Sequence, residues 1–177
     1  MLAAHFACHR PEHLQHSRCC CSQCGRSRPI GGIGSAAGKA DRLLVEAFDA
    51  PAAMVAAARA RLESRATVHH RTFDAVAWHA AFDGIWCCAS LLHVPQAAFP
   101  DVAARLLAAL RPGGAWYLSF KHGEGEHGRW GRLFVDHTEV TLRAALSPLP
   151  VQLLDLWVSA NRRPRRADEA WLNAVVR

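Results

Sequence analysis

Apolar and polar residues alternate in blocks along most of this chain, and the blocks predict strands and helices in turn. Near-continuous apolar runs of this length are typical of strands that are covered on both faces of a sheet. The longest of them, at 82–89, is expected near the centre of the sheet. Six segments are predicted to be strands, at residues 43–48, 67–71, 82–89, 115–120, 152–160 and 170–176.

Helices are predicted between the strands, at residues 52–63, 100–110 and 138–146. The first is rich in Ala, Arg, Leu and Met, which are strong helix formers. The second places Val102, Leu106 and Leu110 on one stripe and ends before Pro112. Strands that alternate with helices in this way predict an α/β fold with a parallel-rich sheet and helices on both of its faces.

The size and composition of the chain indicate one well-packed domain. Its 177 residues are 51% hydrophobic, which is enough for a single core and too few residues for two full domains. No apolar stretch approaches the ~18 residues of a membrane-spanning helix. The opening residues are also too short an apolar run for a signal peptide. We therefore expect a cytoplasmic protein that does not act on a membrane.

Residues 1–42 differ in composition from residues 43–177, and the boundary divides the chain into an atypical segment and the patterned domain. The formal net charge is +6, and the first segment holds six of the 21 Lys and Arg residues but only two of the 15 Asp and Glu residues. Because no basic patch with interleaved aromatic residues accompanies this charge, we predict no nucleic-acid partner. Residues 1 to about 28 show no sustained period and are expected to be poorly ordered.

Five of the seven cysteines also lie in this first segment, which raises the question of a metal site. Cys21 and Cys24 have the spacing of zinc ligands, and the residues that could complete a set are Cys8, His9, His13 and His16. Structural zinc sites use two separated ligand pairs, however, and three adjacent cysteines cannot bind one ion comfortably. We therefore predict no metal, and keep a metal-binding segment fused to the domain as an alternative.

Several motifs of the patterned domain resemble those of one enzyme family. They are an apolar strand that ends at Asp49, the run from Phe82 to Val94, and the turn Leu110-Arg111-Pro112-Gly113-Gly114. Together they resemble a class I S-adenosylmethionine-dependent methyltransferase of the small bacterial tellurite-resistance type, from about residue 43 onward. The resemblance implies a Rossmann-like, mostly parallel sheet that is closed by a C-terminal antiparallel hairpin and is irregular at its N-terminus. It also implies methyl transfer from S-adenosylmethionine to a small-molecule partner.

The resemblance also implies which residues bind the cofactor. Asp49 would accept hydrogen bonds from the ribose hydroxyls, because ligands of open α/β sheets lie beyond the carboxyl ends of the strands. Its alternative role is that of a helix N-cap. Asp74 would accept from the adenine amino group, or would be a solvated loop residue. The expected cofactor-binding residues are Gly32, Gly34, Asp49, Ala50, Asp74, Ala89, Ser90 and Leu91.

The glycine motif of this family is the point at which the sequence departs from the pattern. The family has an acidic residue before a glycine-rich loop in which the backbone approaches the cofactor closely. Here the candidate is Gly31-Gly32-Ile33-Gly34, in which Gly32 lies 17 residues before Asp49, but the acidic residue is absent. A shifted reading frame or a misassigned start would explain this. The alternative function is therefore a degenerate, non-catalytic relative of the family.

The acceptor side of the site is expected after the fourth and fifth strands. His93 follows the run at 82–89 and is the candidate general base, although a lone histidine is more often structural. The segment 121–132 is rich in glycine, histidine and charge, and it is either a substrate lid or a solvated loop. In it, Lys121, His122 and Glu124 are the candidate substrate-binding residues.

Overall fold

A computed structural model describes residues 5–9, 44–161, 166 and 168–177 of the chain. Seven of the described strands form one sheet, and two form a separate hairpin. The strands are β1 (His5–His9), β2 (Leu44–Asp49), β3 (Thr67–His70), β4 (Phe82–Cys87), β5 (Leu110–Lys121), β6 (Gly125–Arg129), β7 (Arg132–Asp136), β8 (Leu153–Ala160) and β9 (Ala170–Val176). The α-helices of the described part are α1 (Ala52–Leu62), α2 (Phe99–Ala109) and α3 (Glu139–Leu146).

The large sheet has the strand order β3-β2-β1-β4-β5-β9-β8. Strands β2, β3, β4, β5 and β8 run in one direction, whereas β1 and β9 run in the other. The predicted α/β fold with a mostly parallel sheet is therefore confirmed. Strand β4 is fourth of the seven, as expected for the run at 82–89. The predicted C-terminal hairpin is confirmed as well, since β8 and β9 pair antiparallel from Leu153 with Val176 to Ala160 with Ala170.

The strand beside β4 on the side of β2 is β1, which the apolar pattern did not predict. It pairs antiparallel with both neighbours, so that His5 lies opposite Phe48 of β2 and Cys87 of β4. Residues 1 to about 28 were expected to be poorly ordered, but residues 5–9 of that segment form β1. The rest of that segment, at 1–4 and 10–28, lies outside the described residues.

The larger core lies on the face of the sheet that α2 and α3 cover. Alternate residues of β5 and β9 point into it, because side chains along a strand face opposite sides in turn. The large side chains that are almost fully buried there include Phe82, Leu91, Trp116, Leu118, Phe120, Leu142 and Leu172. On the opposite face a smaller cluster forms where Val55 and Ala58 of α1 pack on Ala47 of β2 and Val68 of β3.

The turn before β5 depends on a glycine that touches its neighbours closely. A Cβ atom added to Gly114 would lie 3.0 Å from the carbonyl oxygen of Arg111 and 3.1 Å from that of Asp83. Both of these atoms belong to the backbone, so they cannot move aside easily. The family-like turn therefore has a structural role, as its Pro and Gly residues suggest.

We expect Gly114→Ala to lower the free energy of unfolding by about 1–3 kcal/mol, because the added methyl group overpacks the turn. Gly128→Ala is the matched control, since a Cβ atom there would meet nothing within 4 Å. That change lies on an exposed strand and should alter the stability by less than ~0.5 kcal/mol. Urea unfolding of both variants checks this, and equal effects would show that the contacts of Gly114 do not constrain the turn.

Candidate functional site

The carboxyl ends of β2, β4 and β5 meet at one edge of the sheet, where ligands of open α/β sheets bind. Asp49, Cys87 and Lys121 are the last residues of these strands. Because β1 runs the other way, its first residue, His5, lies at this edge and His9 lies at the opposite one. The described part of the chain therefore has no glycine loop that leaves a central strand at this edge. Gly32 and Gly34 lie outside the described residues.

Asp49 is a buried carboxylate with one oxygen unused. Its Oδ1 accepts a hydrogen bond from the backbone N–H of Ala50 at 2.8 Å. Its Oδ2 is buried and has no hydrogen-bond partner among the described residues. Burial raises the pKa of this carboxyl, against the lowering effects of the Ala50 N–H and of the charges on Arg132 and His93. Since buried polar atoms are nearly always paired, an unpaired carboxylate oxygen at a ligand-binding edge indicates a place for a donor.

The backbone around Asp49 is fixed by the neighbouring strand. The N–H of Arg71 donates to the carbonyl oxygen of Asp49 at 3.0 Å, and the His70 Nε2–H donates to that of Ala50 at 2.7 Å. Helix α1 has Pro51 as its N-cap residue, without a capping side chain. Asp49 is therefore not the N-cap of this helix, and the alternative role that the sequence allowed for it is not the one observed.

Asp74 lies in a short 3₁₀ turn, Phe73–Ala75, that follows β3. The ring of Phe73 packs edge-on against Phe48, the residue before Asp49, with ring centroids 5.4 Å apart. Asp74 itself is exposed, and a hydrogen bond with the Thr72 side chain lowers the pKa of its carboxyl. The turn thus brings Asp74 to the same edge of the sheet as Asp49, with an ionised carboxylate that faces solvent.

The segment after β4 has a constrained backbone. Ala89 has a φ angle of +53°, in the left-handed region that residues other than glycine rarely adopt, and its N–H donates to the buried Ser119 hydroxyl of β5 at 2.9 Å. Ser90 and Leu91, which follow, are 1% and 0% exposed. Strained backbone persists only where the surrounding structure holds it in place. It is concentrated at functional sites.

His93 ends the 3₁₀ turn Leu91–His93 and contacts the hairpin of β6 and β7. Its Nδ1 lies 2.7 Å from the carbonyl oxygen of Leu133, which can only accept, so Nδ1 carries the proton of this bond. The ring also packs edge-on against Phe134, with centroids 4.9 Å apart. The candidate base is therefore held in one orientation by the hairpin.

The segment at 121–132, predicted as a lid or a solvated loop, forms most of that hairpin. Its strands pair from Gly125 with Asp136 to Arg129 with Arg132. The Glu126 carboxylate accepts the backbone N–H of Gln96 at 2.8 Å, so the hairpin is bound to the segment that follows β4. The segment is therefore regular structure that contacts the residues after β4.

The three candidate substrate-binding residues lie at the base of the hairpin. Lys121 forms an ion pair with Glu169 at 3.1 Å, and His122 lies 3.0 Å from the Glu139 carboxylate. Glu124 is exposed. None of the three lines the cavity that lies beside them.

The cavity has a volume of about 220 Å³ and lies at the carboxyl ends of β4 and β5, between α2, α3 and the end of β7. Its polar lining residues are Gln96, His137 and Thr141, and the rest of its lining is apolar. Neither His137 nor Thr141 was among the residues predicted from the sequence. Nothing in the local sequence marks them, because the cavity walls come from segments that are distant in the chain.

The described residues contain no other obvious reactive centre. No group of three or more His, Cys, Asp or Glu side chains in the described part could hold a metal ion. Cys21 and Cys24, the candidate zinc ligands, lie outside it. Burial raises the pKa of the Cys87 thiol to about 12, so that it stays protonated at neutral pH. No helix of the described part is long and apolar enough to cross a membrane.

Comparisons with known proteins agree with this architecture. A family model described as a methyltransferase domain matches residues 30–114. A structure of Burkholderia thailandensis 1,6-didemethyltoxoflavin-N1-methyltransferase, with bound S-adenosylhomocysteine, superposes with a TM-score of 0.62 at 23% identity, over 75% of this chain and 60% of that one. A Mesorhizobium loti S-adenosylmethionine-dependent methyltransferase superposes with a TM-score of 0.60 at 18% identity, over 73% of this chain and 78% of that one. The described residues therefore have the fold of class I S-adenosylmethionine-dependent methyltransferases, and residues 30–114 match the methyltransferase-domain family model.

The match to the methyltransferase family starts at residue 30 and so includes the glycine-rich stretch with Gly32 and Gly34. At these identities the structural likeness shows the fold alone. One similar structure, at a TM-score of 0.55 and 18% identity over 73% of this chain and 65% of that one, is the [4+2]-cyclase SpnF. The chain spans 60% of the length of the Burkholderia enzyme. No characterised protein matches it by sequence comparison.

The cofactor of the methyltransferase family is S-adenosylmethionine, and the described residues fit its nucleoside part. Asp49 Oδ2 is a buried acceptor without a partner among the described residues. A ribose hydroxyl could donate a hydrogen bond to it. Asp74 offers a second acceptor at the same edge, and the segment with Ala89, Ser90 and Leu91 follows the central strand. The part of the chain that would face the methionine group, with Gly32 and Gly34, lies outside the described residues.

Proposed function

We propose that the protein transfers a methyl group from S-adenosylmethionine to a small-molecule acceptor. The observation that carries the proposal is the unpaired Oδ2 of Asp49, a buried acceptor at the carboxyl end of β2. When bound, the cofactor supplies an activated methyl group on a sulfonium sulfur. The contribution of the protein is then to position the two reactants and to exclude water, which needs neither a metal nor a nucleophilic side chain.

Each candidate residue has a defined part in this proposal. Asp49 accepts from the ribose hydroxyls, and Asp74 accepts from the adenine amino group. The backbone of Ala50, Ala89, Ser90 and Leu91 lines the cofactor, and Gly32 and Gly34 approach its methionine part. Because Asp49 Oδ2 is closed to solvent, cofactor binding requires that the groups which cover it move aside.

A small-molecule acceptor is favoured by the cavity at the ends of β4 and β5. Its volume of about 220 Å³ is below the range of ~300–1,000 Å³ that is usual for drug-sized ligands. The Burkholderia methyltransferase that is similar in structure carries 1,6-didemethyltoxoflavin, a small molecule. Lys121, His122 and Glu124 do not line this cavity, so their contact with the acceptor stays a prediction from the sequence, as does the role of His93 as a base. Location in the cytoplasm stays a prediction.

Methyl transfer is tested with S-adenosylmethionine that is labelled in its methyl group and a panel of small acceptors with O–H, N–H or S–H groups. We expect label in at least one acceptor, with release of an equal amount of S-adenosylhomocysteine. Protein with the Asp49→Ala substitution is the control. Cofactor binding without transfer to any acceptor would favour the second candidate function.

That second candidate is a degenerate member of the family that does not catalyse methyl transfer. It is favoured by β1, which runs antiparallel and therefore has its carboxyl end at the edge opposite Asp49. The similarity to the [4+2]-cyclase SpnF shows that a related fold also serves in a protein named for another reaction. The two candidates differ in one observable, since only the first consumes S-adenosylmethionine.

The affinity for S-adenosylmethionine should depend on pH through Asp49. Burial raises the pKa of its carboxyl, so the group becomes protonated at a higher pH than an ordinary aspartate, whose pKa is about 3.9. Protonation removes an acceptor for the ribose, and binding should therefore weaken as the pH falls through this raised pKa. Calorimetric titrations across the acidic range check this. Asp49→Asn should lose this part of the pH dependence, and parallel profiles for the two proteins would contradict the assignment.

A further inference from the structure

The cavity at the carboxyl ends of β4 and β5 has one ionisable group in its wall. Most of the wall is apolar, from Val94, Phe99, Phe120, Val135, Ala144 and Ala145. The ionisable group is His137, which lies between β7 and α3 and is only 5% exposed. At about 30 Å³ for each water molecule in the liquid, the volume of about 220 Å³ equals that of about seven waters. This is room for one small organic molecule.

The ring of His137 is held in place by the protein. It packs edge-on against Phe120, with centroids 4.7 Å apart, and its Nδ1 lies 3.1 Å from the Thr141 hydroxyl oxygen. Its backbone N–H donates to the carbonyl oxygen of Lys121, which fixes the chain at the base of the hairpin. Burial lowers the pKa of the imidazole, so that the ring is neutral at neutral pH.

The hydrogen bonds of Thr141 are the basis for assigning the proton of the His137 ring to one of its two nitrogens. The Thr141 hydroxyl donates its single hydrogen to the carbonyl oxygen of Thr138 at 3.2 Å and accepts from the Thr138 N–H at 2.9 Å. We assign the Thr141 hydrogen to this bond with the Thr138 carbonyl, and the Thr141 oxygen then acts as an acceptor toward His137, to which Nδ1 donates. Nε2 is then left with its lone pair, and it makes no hydrogen bond to any described residue.

We propose that this cavity binds the methyl acceptor, a small and largely apolar molecule with one O–H or N–H group, and that His137 Nε2 accepts the proton of that group. The inference rests on the proposed function and names its acceptor class. The acceptor's oxygen or nitrogen forms a bond to the methyl carbon while the carbon–sulfur bond breaks and its electron pair stays on sulfur. The proton that the acceptor loses passes to Nε2, which leaves an imidazolium that solvent later deprotonates.

The position of His137 distinguishes it from His93, the base suggested by the sequence. His137 lines the cavity, whereas His93 does not, although the next residue, Val94, does. His93 has its Nδ1 bonded to Leu133 of the hairpin. The role of His93 is then to position the hairpin over the site, and the proton acceptor is His137.

Two probes of matched size test the cavity without the cofactor. Phenol has an O–H group, and toluene has a methyl group in its place. The dissociation constant of each is measured by calorimetry for the parent, for His137→Leu and for His137→Gln, which keeps an acceptor in a side chain of similar size. A change in cavity shape should alter both dissociation constants alike, so it cancels in the toluene-to-phenol ratio of the constants.

We expect this ratio to fall by at least roughly fivefold in His137→Leu, because the phenol O–H loses its buried acceptor. His137→Gln should retain more of the ratio than His137→Leu. In the nitrogen-15 spectrum of the parent, phenol should shift the resonance of His137 Nε2 and toluene should leave it in place. This second measurement decides the question if His137→Leu does not fold.

An unchanged ratio in His137→Leu would overturn the proposal. A ratio that falls in His93→Leu and not in His137→Leu would overturn it as well. So would a parent protein that binds neither probe. Since both probes are titrated without S-adenosylmethionine, a protein that failed to bind the cofactor would still give a result. Failure of the proposed function appears instead in the labelled-methyl assay, so the two outcomes can be told apart.

Discussion

Replacing Asp49 by alanine should weaken S-adenosylmethionine binding roughly five- to 150-fold, which corresponds to ~1–3 kcal/mol for a lost buried hydrogen bond. The physical reason is that the ribose hydroxyls would lose their acceptor in a cleft that water reaches poorly. Asp49→Asn should have a smaller effect, because the amide oxygen still accepts one of the two bonds. Calorimetric titration of the three proteins gives the dissociation constants.

The domain should stay folded in both variants. The N-cap of α1 is Pro51, so removal of the Asp49 side chain does not remove a helix cap. A buried carboxylate oxygen without a partner destabilises the folded protein, and Asp49 Oδ2 has none among the described residues. Removing it should therefore not unfold the domain. Asp74→Ala is a useful comparison, since this carboxylate is exposed and its loss should weaken binding less. Binding by Asp49→Ala at the affinity of the parent, or its unfolding, would make Asp49 a structural residue.

The largest expected effect on stability is that of Asn173→Ala. The Asn173 side chain accepts from the Tyr117 hydroxyl at 2.8 Å and donates to Ser159 Oγ and the carbonyl oxygen of Trp171, both at 3.0 Å. It is 1% exposed and joins β5, β9 and β8. Because several buried groups lose a partner at once, we expect the free energy of unfolding to fall by about 3 kcal/mol.

Ser159→Ala is the matched control for this network, because it removes a single hydrogen bond of Asn173. It should lower the stability by about 1 kcal/mol. Urea unfolding, followed by circular dichroism, measures both variants. An effect of Asn173→Ala no larger than that of Ser159→Ala would show that the hydrogen bonds of Asn173 do not act together.

Much of the fold was predictable because most elements follow a local pattern. The apolar runs at 82–89 and 152–160 became β4 and β8, and the stripe at 100–110 became α2. Strand β1 was not predicted, since its apolar residues are few and its neighbours show no period. The hairpin of β6 and β7 was missed for a related reason: all residues of β6 are exposed, so no alternation marks the strand.

The candidate site was predictable only where a local sequence pattern marks its residues. Asp49 could be selected because it ends a strand, and the end of a parallel strand is a ligand-binding position that the sequence reveals. The unpaired state of its Oδ2 depends on burial, which only the folded chain shows. His137 could not be selected, because its tautomer depends on Thr141 and its cavity on side chains from four separate segments.

The central claim is that S-adenosylmethionine binds at the carboxyl edge of β2 and β4. Hydrogen exchange of the full chain, with and without the cofactor, tests it most directly. We predict slower exchange at Ala50 and at residues 89–91 when the cofactor is present, and unchanged exchange in β8, which lies at the far side of the sheet. Saturable binding without protection at those residues, or no binding by the folded protein, would contradict the claim.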